Sequence, residues 1–290
     1  MSHGSSPGEE LDGPWTFVID PGRRWLDVRV SELWRYRDLI RLFVRRDFVA
    51  TYKQTILGPA WYLLQPLATT LTFVVIFGRV AQLSTEGRPQ VLFYMLGTVV
   101  WAYFSACLTQ TSTTFISNAN LFGKVYFPRL IVPVSAVLSN LIMFAIQFTQ
   151  FAVFALFFSI RSIPLGVNAW VLATPILLLL MAAMGLGLGI TISSLTTRYR
   201  DLQYLVTFGT QLAMFATPVI YPLSAVPARY RWLVLANPMT AVLETFRYAF
   251  LGAGEASIAH LAYSAGFAVA ALFAGVLLFN HVERTFMDTV

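Results

Sequence analysis

Six stretches of this chain, residues 59–82, 91–115, 130–158, 168–194, 203–222 and 257–280, are apolar and nearly free of Asp, Glu, Lys and Arg. A helix needs about twenty such residues to cross ~30 Å of hydrocarbon, so each stretch is long enough to span a bilayer. Only 12% of the 290 residues are charged, against roughly a quarter in a soluble domain, and 57% are hydrophobic. Water is not the main solvent of such a chain, and no half of it is left for a soluble enzyme domain. The expected fold is an all-α integral membrane protein with six transmembrane helices.

The opening residues MSHGSSPGEELDGP are polar and acidic. They have neither a basic n-region nor an apolar h-region, so no cleaved signal peptide is expected and the chain should start in the cytoplasm. Six crossings then return the C-terminus to the same side. On that topology fourteen of the twenty Lys and Arg residues lie inside, nine of them within residues 1–58. Arg79, Arg88, Arg161, Arg229, Arg231 and Arg247 fall outside. Basic residues gather on the cytoplasmic side of short loops in membrane proteins. The net charge of +6 therefore reads as orientation and contact with membrane lipids, not as nucleic-acid binding. Cys107, the only cysteine, lies inside the second stretch. An intramolecular disulfide and a thiolate metal cluster are both excluded, which leaves a small packing residue.

The chain divides into an irregular cytoplasmic segment, 1–30, an interface region, 31–57, and a permease-like membrane domain, 58–290. Residues 31–53 read as a helix lying on the membrane. Leu33, Tyr36, Leu39, Ile40, Phe43, Val44 and Phe48 share one side, and Arg35, Asp38, Arg41, Arg45, Arg46 and Lys53 the other, with Arg37 and Asp47 breaking the pattern. Such a helix serves as a lipid anchor or as a docking surface for a partner protein. Next, Leu57-Gly58-Pro59 must turn the chain into the bilayer. Gly58 permits the bend, and Pro59 suits a first helical turn, where its missing N–H would have no partner.

The connection 223–256 is too apolar for a solvated loop. Asn237 reads as an N-cap, Pro238 as the first helical residue and Gly252 as a stop, which marks a helix of about fourteen residues. Tyr221-Pro222 and Pro227 break the segment before it. Two short re-entrant helices in the outer leaflet, between spans five and six, would satisfy their own backbone hydrogen bonds.

No ionisable residue sits near the middle of any span, so the relay expected of an ion-coupled carrier is missing. No paired carboxylates, metal-ligand cluster or Ser, His and Asp set points to catalysis. The phosphate-binding pattern GxxxxGK[ST] does not occur; Gly123-Lys124 is followed by Val125. If transport is driven, its motor lies on another polypeptide, and this chain binds no cofactor of its own. Polar and aromatic residues recur at helical spacing in three spans. They are Trp61, Gln65, Ala68, Thr72 and Ile76 in the first, and Tyr94, Thr98, Trp101, Ser105, Thr109 and Ser112 in the second. The fifth carries Thr207, Thr210, Gln211, Met214, Thr217 and Tyr221. These faces either line a pore for a sugar polymer, with rings as platforms for sugar C–H faces, or supply hydrogen bonds between packed helices. Ala182, Ala183, Gly185, Gly187 and Gly189 in the fourth span, and the small residues from Ala262 to Gly275, favour close packing, within the chain or across a dimer. Two cytoplasmic connections stand out. Residues 117–129, with Asn118, Asn120, Lys124 and Arg129, can form a short amphipathic helix closed by Pro128. Thr197-Arg198-Tyr199-Arg200-Asp201 gathers charge between two spans.

The amphipathic helix, Leu57-Gly58-Pro59-Ala60-Trp61 with Pro66 beyond, the Asn120 to Pro133 stretch, Thr197 to Asp201, and Pro218 to Pro222 followed by Asn237-Pro238 occur together in this order over about residues 30–285. In this combination the chain resembles the permease subunit of type-2 ATP-binding-cassette polysaccharide exporters, which move O-antigen, teichoic acid or capsule chains across bacterial plasma membranes. The resemblance implies a homodimer with its pore on the two-fold axis, bound to two copies of a separate ATPase that uses ATP and Mg. It implies that Asn118, Asn120, Lys124, Arg129, Arg198, Tyr199, Arg200 and Asp201 seat on the ATPases. Leu57, Gly58 and Pro59 would guard the cytoplasmic entrance, and Tyr221, Pro222, Asn237, Pro238, Glu244 and Arg247 would form the outer gate. The cargo would be a lipid-linked polysaccharide. A permease of the same superfamily for a small molecule or drug, and a membrane enzyme acting on polyprenol-linked sugars, are the alternatives.

Overall fold

The computed structural model describes residues 30–53, 57–122, 124, 127–161, 165–197, 199 and 201–286. The expectations for residues 1–29, for Thr55-Ile56 and for Arg198 and Arg200 lie outside that set. Among the described residues the chain is helical with no strand.

Five helices are long and apolar enough to cross a membrane. The first is α3 (Trp61–Phe73), continued by a π-helical stretch, Val74–Val80. The others are α4 (Gln90–Ser112), α7 (Ile131–Ile160), α8 (Thr174–Thr196) with its 3-10 lead Ala169–Ala173, and α12 (Ile258–Phe286). The stretch expected as a fifth span, 203–222, does not form one long helix. Its helix α9 (Leu202–Ala216) has 15 residues, about 22 Å of rise and short of the hydrocarbon thickness. Pro218 is the reason. A residue before proline is pushed out of the α region, and Thr217 is extended at φ −95° and ψ 144°.

The interface helix is also broken. Tyr36, at φ −94° and ψ 20°, separates α1 (Val30–Arg35) from α2 (Arg37–Tyr52). Of the amphipathic helix expected over 117–129, the described residues show one turn, α6 (Ala119–Phe122), just after α5 (Thr114–Ser117). In the outer connection, α10 (Ala228–Leu235) is followed by α11 (Pro238–Leu251). The α11 ends follow the sequence. Asn237 Oδ1 accepts from Met239 N, Pro238 opens the helix, and Gly252 closes it at φ +61°.

The bundle is built around α4. Leu92, Phe93, Met95, Leu96 and Val100 are fully buried, and α3, α7, α8, α9 and α11 all pack on this helix. Glycines in α8 set two of the approaches. Gly185 and Gly189, four residues apart and so on one face, meet α4: a Cβ on Gly185 would lie 2.7 Å from Cys107 Cβ, and one on Gly189 would collide with Thr111. Gly187, two residues from each and on the opposite face, meets α12 so closely that a Cβ would stand 2.5 Å from Ala271. Gly185, Gly187 and Gly189 of the fourth span and Gly275 of the sixth therefore pack within the chain, whereas Ala262, Gly266, Ala270 and Ala274 of the sixth are exposed. At one end a second cluster joins Phe43 of α2 to Phe115, Phe122, Phe127, Ile131 and Phe279. The apolar side of the interface helix is partly spent on the chain's own bundle, and Leu33, Tyr36, Leu39 and Ile40 pack there too. Behind α9, the bundle leaves an apolar cavity of about 460 Å³ walled by Trp101, Met184, Val206 and Phe267.

Candidate functional site

The three polar stripes part company in the fold. On α3 and its π-helical continuation every member of the stripe, Trp61, Gln65, Ala68, Thr72 and Ile76, is exposed. On α9, Thr207 and Gln211 are exposed and Met214 is half-buried, while Thr210 is buried. Hydroxyls on both helices are satisfied locally, as Thr72 donates to Ala68 O at 2.9 Å and Thr207 to Gln203 O at 3.1 Å. Exposed Gln65 and Gln211 amides facing lipid tails would leave polar groups unsolvated. These faces are therefore suited to water, to another polypeptide or to a polar cargo.

The second stripe is corrected by the structure. Tyr94, Thr98 and Trp101 are 0%, 7% and 6% exposed, because α4 is the central helix and its polar face is covered by its neighbours. Thr98 donates to Met95 O at 3.0 Å. Trp101 instead lines the cavity behind α9. Ser105 and Thr109, toward the other end of α4, are half-buried, and Thr109 donates to Ser105 O at 2.8 Å.

At the end carrying α2, Gly58 takes φ +50°, the left-handed conformation that its bend requires, and Leu57 beside it is exposed. Pro59 falls in the 3-10 turn Gly58–Ala60. Of the residues expected at an ATPase contact, Asn120, Lys124, Tyr199 and Asp201 are exposed. Asn118 is half-buried and donates to Thr114 O at 3.0 Å. Arg129 departs from the expectation: it is 4% exposed, with its guanidinium 5.4 Å from the Phe122 ring centroid, so it belongs to the aromatic cluster rather than to a free surface.

At the opposite end, Arg247 on α11 is fully buried. Its Nη2 donates to Val219 O at 2.6 Å and its Nη1 to Tyr221 O and Glu244 Oε1, both at 3.1 Å. The guanidinium also lies 3.8 Å from the Phe93 ring centroid on α4. One side chain thus fastens the turn after α9 to both α11 and α4. Backbone carbonyls there have no helical partner, and a multidentate side-chain donor satisfies two of them. Gly97 makes room, since a Cβ would stand 2.6 Å from Val219 O. Burial pushes the Glu244 carboxyl upward from its ordinary range, and the Arg247 charge opposes it. Burial likewise lowers Arg247, with Glu244 holding it charged. Arg247, expected among the gate residues, is thus buried at this end of the bundle.

Around this pair the outer elements are tied together. Asn237 Nδ2 donates to Thr217 Oγ1 at 2.7 Å, and Tyr221 donates to Phe215 O at 3.1 Å. Pro222 is buried and Pro238 half-buried. Three members were missed from sequence. Glu86, in the loop between α3 and α4, accepts from Gly254 N at 2.7 Å and from Ser224 Oγ at 2.5 Å. Arg88 donates to Gly252 O at 3.0 Å, and Asn168 to Tyr248 O at 2.8 Å. Their partners are distant in sequence and mostly backbone atoms, which leave no pattern to read.

Comparison with known proteins bears on this arrangement. The family model described as ABC-2 type transporter matches residues 38–251. A protein called O-antigen export system permease protein RfbA, from Myxococcus xanthus, is 28% identical over 264 residues, 90% of this chain and 98% of the relative. A protein of the same name from Klebsiella pneumoniae is 25% identical over 252 residues, 87% of this chain and 94% of the relative. The Escherichia coli polysialic acid transport protein KpsM is 23% identical over 237 residues, 80% of this chain and 89% of the relative. The family match takes in α2, the bundle from α3 to α9 and the buried Arg247 pair, and on that extent the chain belongs to the ABC-2 type transporters.

Proposed function

We propose that this chain is the permease subunit of an ATP-driven exporter that moves a lipid-linked polysaccharide across the bacterial plasma membrane. The carrying observation is that relatives matching nearly their whole length are named for O-antigen export and polysialic acid transport. The physical reading agrees. Spans without midplane ionisable groups suit an uncharged or bulky polar cargo but offer no ion-coupling relay. Energy then comes from a separate ATPase, with ATP and Mg bound on that partner and no cofactor held here.

In the working complex two copies of this chain face each other, with α3 and α9 of each turned toward the cargo path. Gln65, Thr72, Thr207 and Gln211 supply hydrogen bonds there, and Trp61 a ring. The α9 helix and the turn after it make the fifth of six crossings, so both termini lie in the cytoplasm and residues 1–30 are cytoplasmic. The exposed turn around Asn120 and Lys124, with Tyr199 and Asp201, receives the ATPase motion. Leu57-Gly58-Pro59 guards the entrance, and α10 with α11 dips back from the outer side as the gate. The test is genetic and biochemical. In a strain deleted for this gene, the glycan is expected to accumulate inside and to return to the surface on complementation. The ATPase encoded alongside is expected to co-purify with the chain. Surface glycan at normal levels in the deletion strain would overturn the assignment.

A further inference from the structure

The cavity behind α9 runs along that helix, where Leu202, Leu205, Val206, Gly209, Thr210 and Ala213 line it at helical spacing. They share one face, turned away from Thr207 and Gln211 on the proposed cargo side. Leu188 and Ile192 of α8 and Phe267 of α12 form the facing wall, and each keeps part of its surface accessible. Gly209 is exposed, and a Cβ on it would meet nothing within 4 Å, so the slot is open there. Of the polar groups on the wall, Thr210 donates to Val206 O at 3.0 Å and the Asn237 amide to Thr217 Oγ1 at 2.7 Å. Both are already satisfied, and the other lining side chains are aliphatic or aromatic.

Setting, lining and shape choose the occupant. α4, α8 and α12, which supply most of the walls, are long and apolar enough to cross the membrane, so the slot opens on hydrocarbon. A water molecule would need polar partners that the wall does not offer. Left empty, the slot forfeits dispersion contacts for every atom that lines it. From Leu202 to Ala213 the helical rise is about 16 Å, and about 460 Å³ spread over that length leaves a section of roughly 30 Å². A helix of a second copy, about 10–12 Å across, is too wide, whereas a hydrocarbon chain with carbon contacts at about 4 Å fits. Near Asn237 the slot reaches the level of Tyr263, which stands one turn before Phe267 on α12 and donates to Ala236 O at 2.8 Å. Tyr263 is exposed, as is Trp232, one turn before Ala236 on α10. Exposed Tyr and Trp gather at the level of lipid head groups, which places this end of the slot at the bilayer surface. We propose that the slot holds an acyl chain of a bilayer phospholipid, entering beside α10 and filling the gap between α9 and α12. The lipid is a resident part of the permease, whatever the permease exports. The exported chain's own lipid tail is the poorer fit, because the slot lies on the face of α9 away from the cargo side.

The test is photolabelling of the full-length chain in phosphatidylethanolamine nanodiscs, doped with a phosphatidylcholine that carries a diazirine midway along one acyl chain. Mass spectrometry maps the label. It is expected on Leu188, Ile192 or Phe267, and on the exposed Val153 of α7, which normalises the yield. Gly209→Leu puts a side chain into the open space at the slot and is expected to lose the label there while keeping it at Val153. Gly266→Leu on α12 is equally open but does not line the slot, and it is expected to keep both. Should Gly209→Leu not fold, Val206→Phe fills the slot from the same face of α9 and is expected to show the same loss. No label in the slot, label that persists in a folded filling variant, or the same loss in Gly266→Leu would each overturn the proposal. Undecaprenyl phosphate in excess is expected to leave the slot label unchanged. Displacement by it would assign the slot to the cargo's lipid and overturn the proposal too. Because the readout is lipid contact in the purified chain, failure here leaves the export reading standing.

Discussion

Arg247 ties together α4, α11 and the turn after α9 at the end of the bundle away from α2. Its guanidinium satisfies the Val219 and Tyr221 carbonyls in the turn after α9, and it does so with no exposure to solvent. Replacing it with methionine leaves Glu244 charged and buried without its partner, and a broken buried pair costs about 3–5 kcal/mol. Arg247→Met is therefore expected to lower the melting temperature of the purified protein sharply. Arg247→Lys, which keeps the charge but loses the fork, is expected to fall between the two. Differential scanning fluorimetry of the three proteins checks the order. Part of this was legible: Glu244 and Arg247 are three residues apart on one helix face, in a segment too apolar to carry a lone charge. The carbonyl partners were not, because a backbone oxygen has no residue identity. Nor was the fate of Tyr94, Thr98 and Trp101. Helical spacing shows that residues share a face, but not whether that face meets a neighbour or an opening.

Element boundaries were legible where the chain carries its own stop signals. Asn237, Pro238 and Gly252 delimit α11, and the structure keeps those limits. The apolar run through residue 222 hid the end of α9, although Pro218 was the mark that the helix could not continue. Likewise, the amphipathic pattern of residues 31–53 identified an apolar side but could not name what covers it. Part of the answer is the bundle itself, through Phe43, whose ring lies 5.9 Å from that of Phe127. Truncating a packed phenylalanine costs about 3–5 kcal/mol when the site cannot collapse. Phe43→Ala is accordingly expected to raise hydrogen exchange in α2 while α4 stays protected, as read by mass spectrometry of the detergent-solubilised protein. Unchanged exchange in α2 would show that the cluster does not hold that helix.

At the scale of the molecule, the question is which ends of the bundle face which compartment. Cys107 is fully buried, so the parent chain is expected to resist membrane-impermeant maleimide. Single cysteines placed at the exposed positions Asn120 and Ala228 are expected to label from opposite sides of the membrane, Asn120→Cys only after the cytoplasmic side is opened. Labelling of both from the same side would end the six-crossing topology. The cargo path has its own check. Gln65→Leu together with Gln211→Leu is expected to lower surface glycan several-fold without changing the melting temperature, because both amides are exposed and hold up no packing. Behind those two helices stands α4, shut away from solvent and fitted to its neighbours at Gly185 and Gly97. Substitutions there are expected to cost the fold, whereas those at the exposed residues of α3 and α9 are expected to touch only the proposed cargo path. On the proposed path, a change in which sugar is accepted needs only new side chains on two helices, while the spine stays as it is.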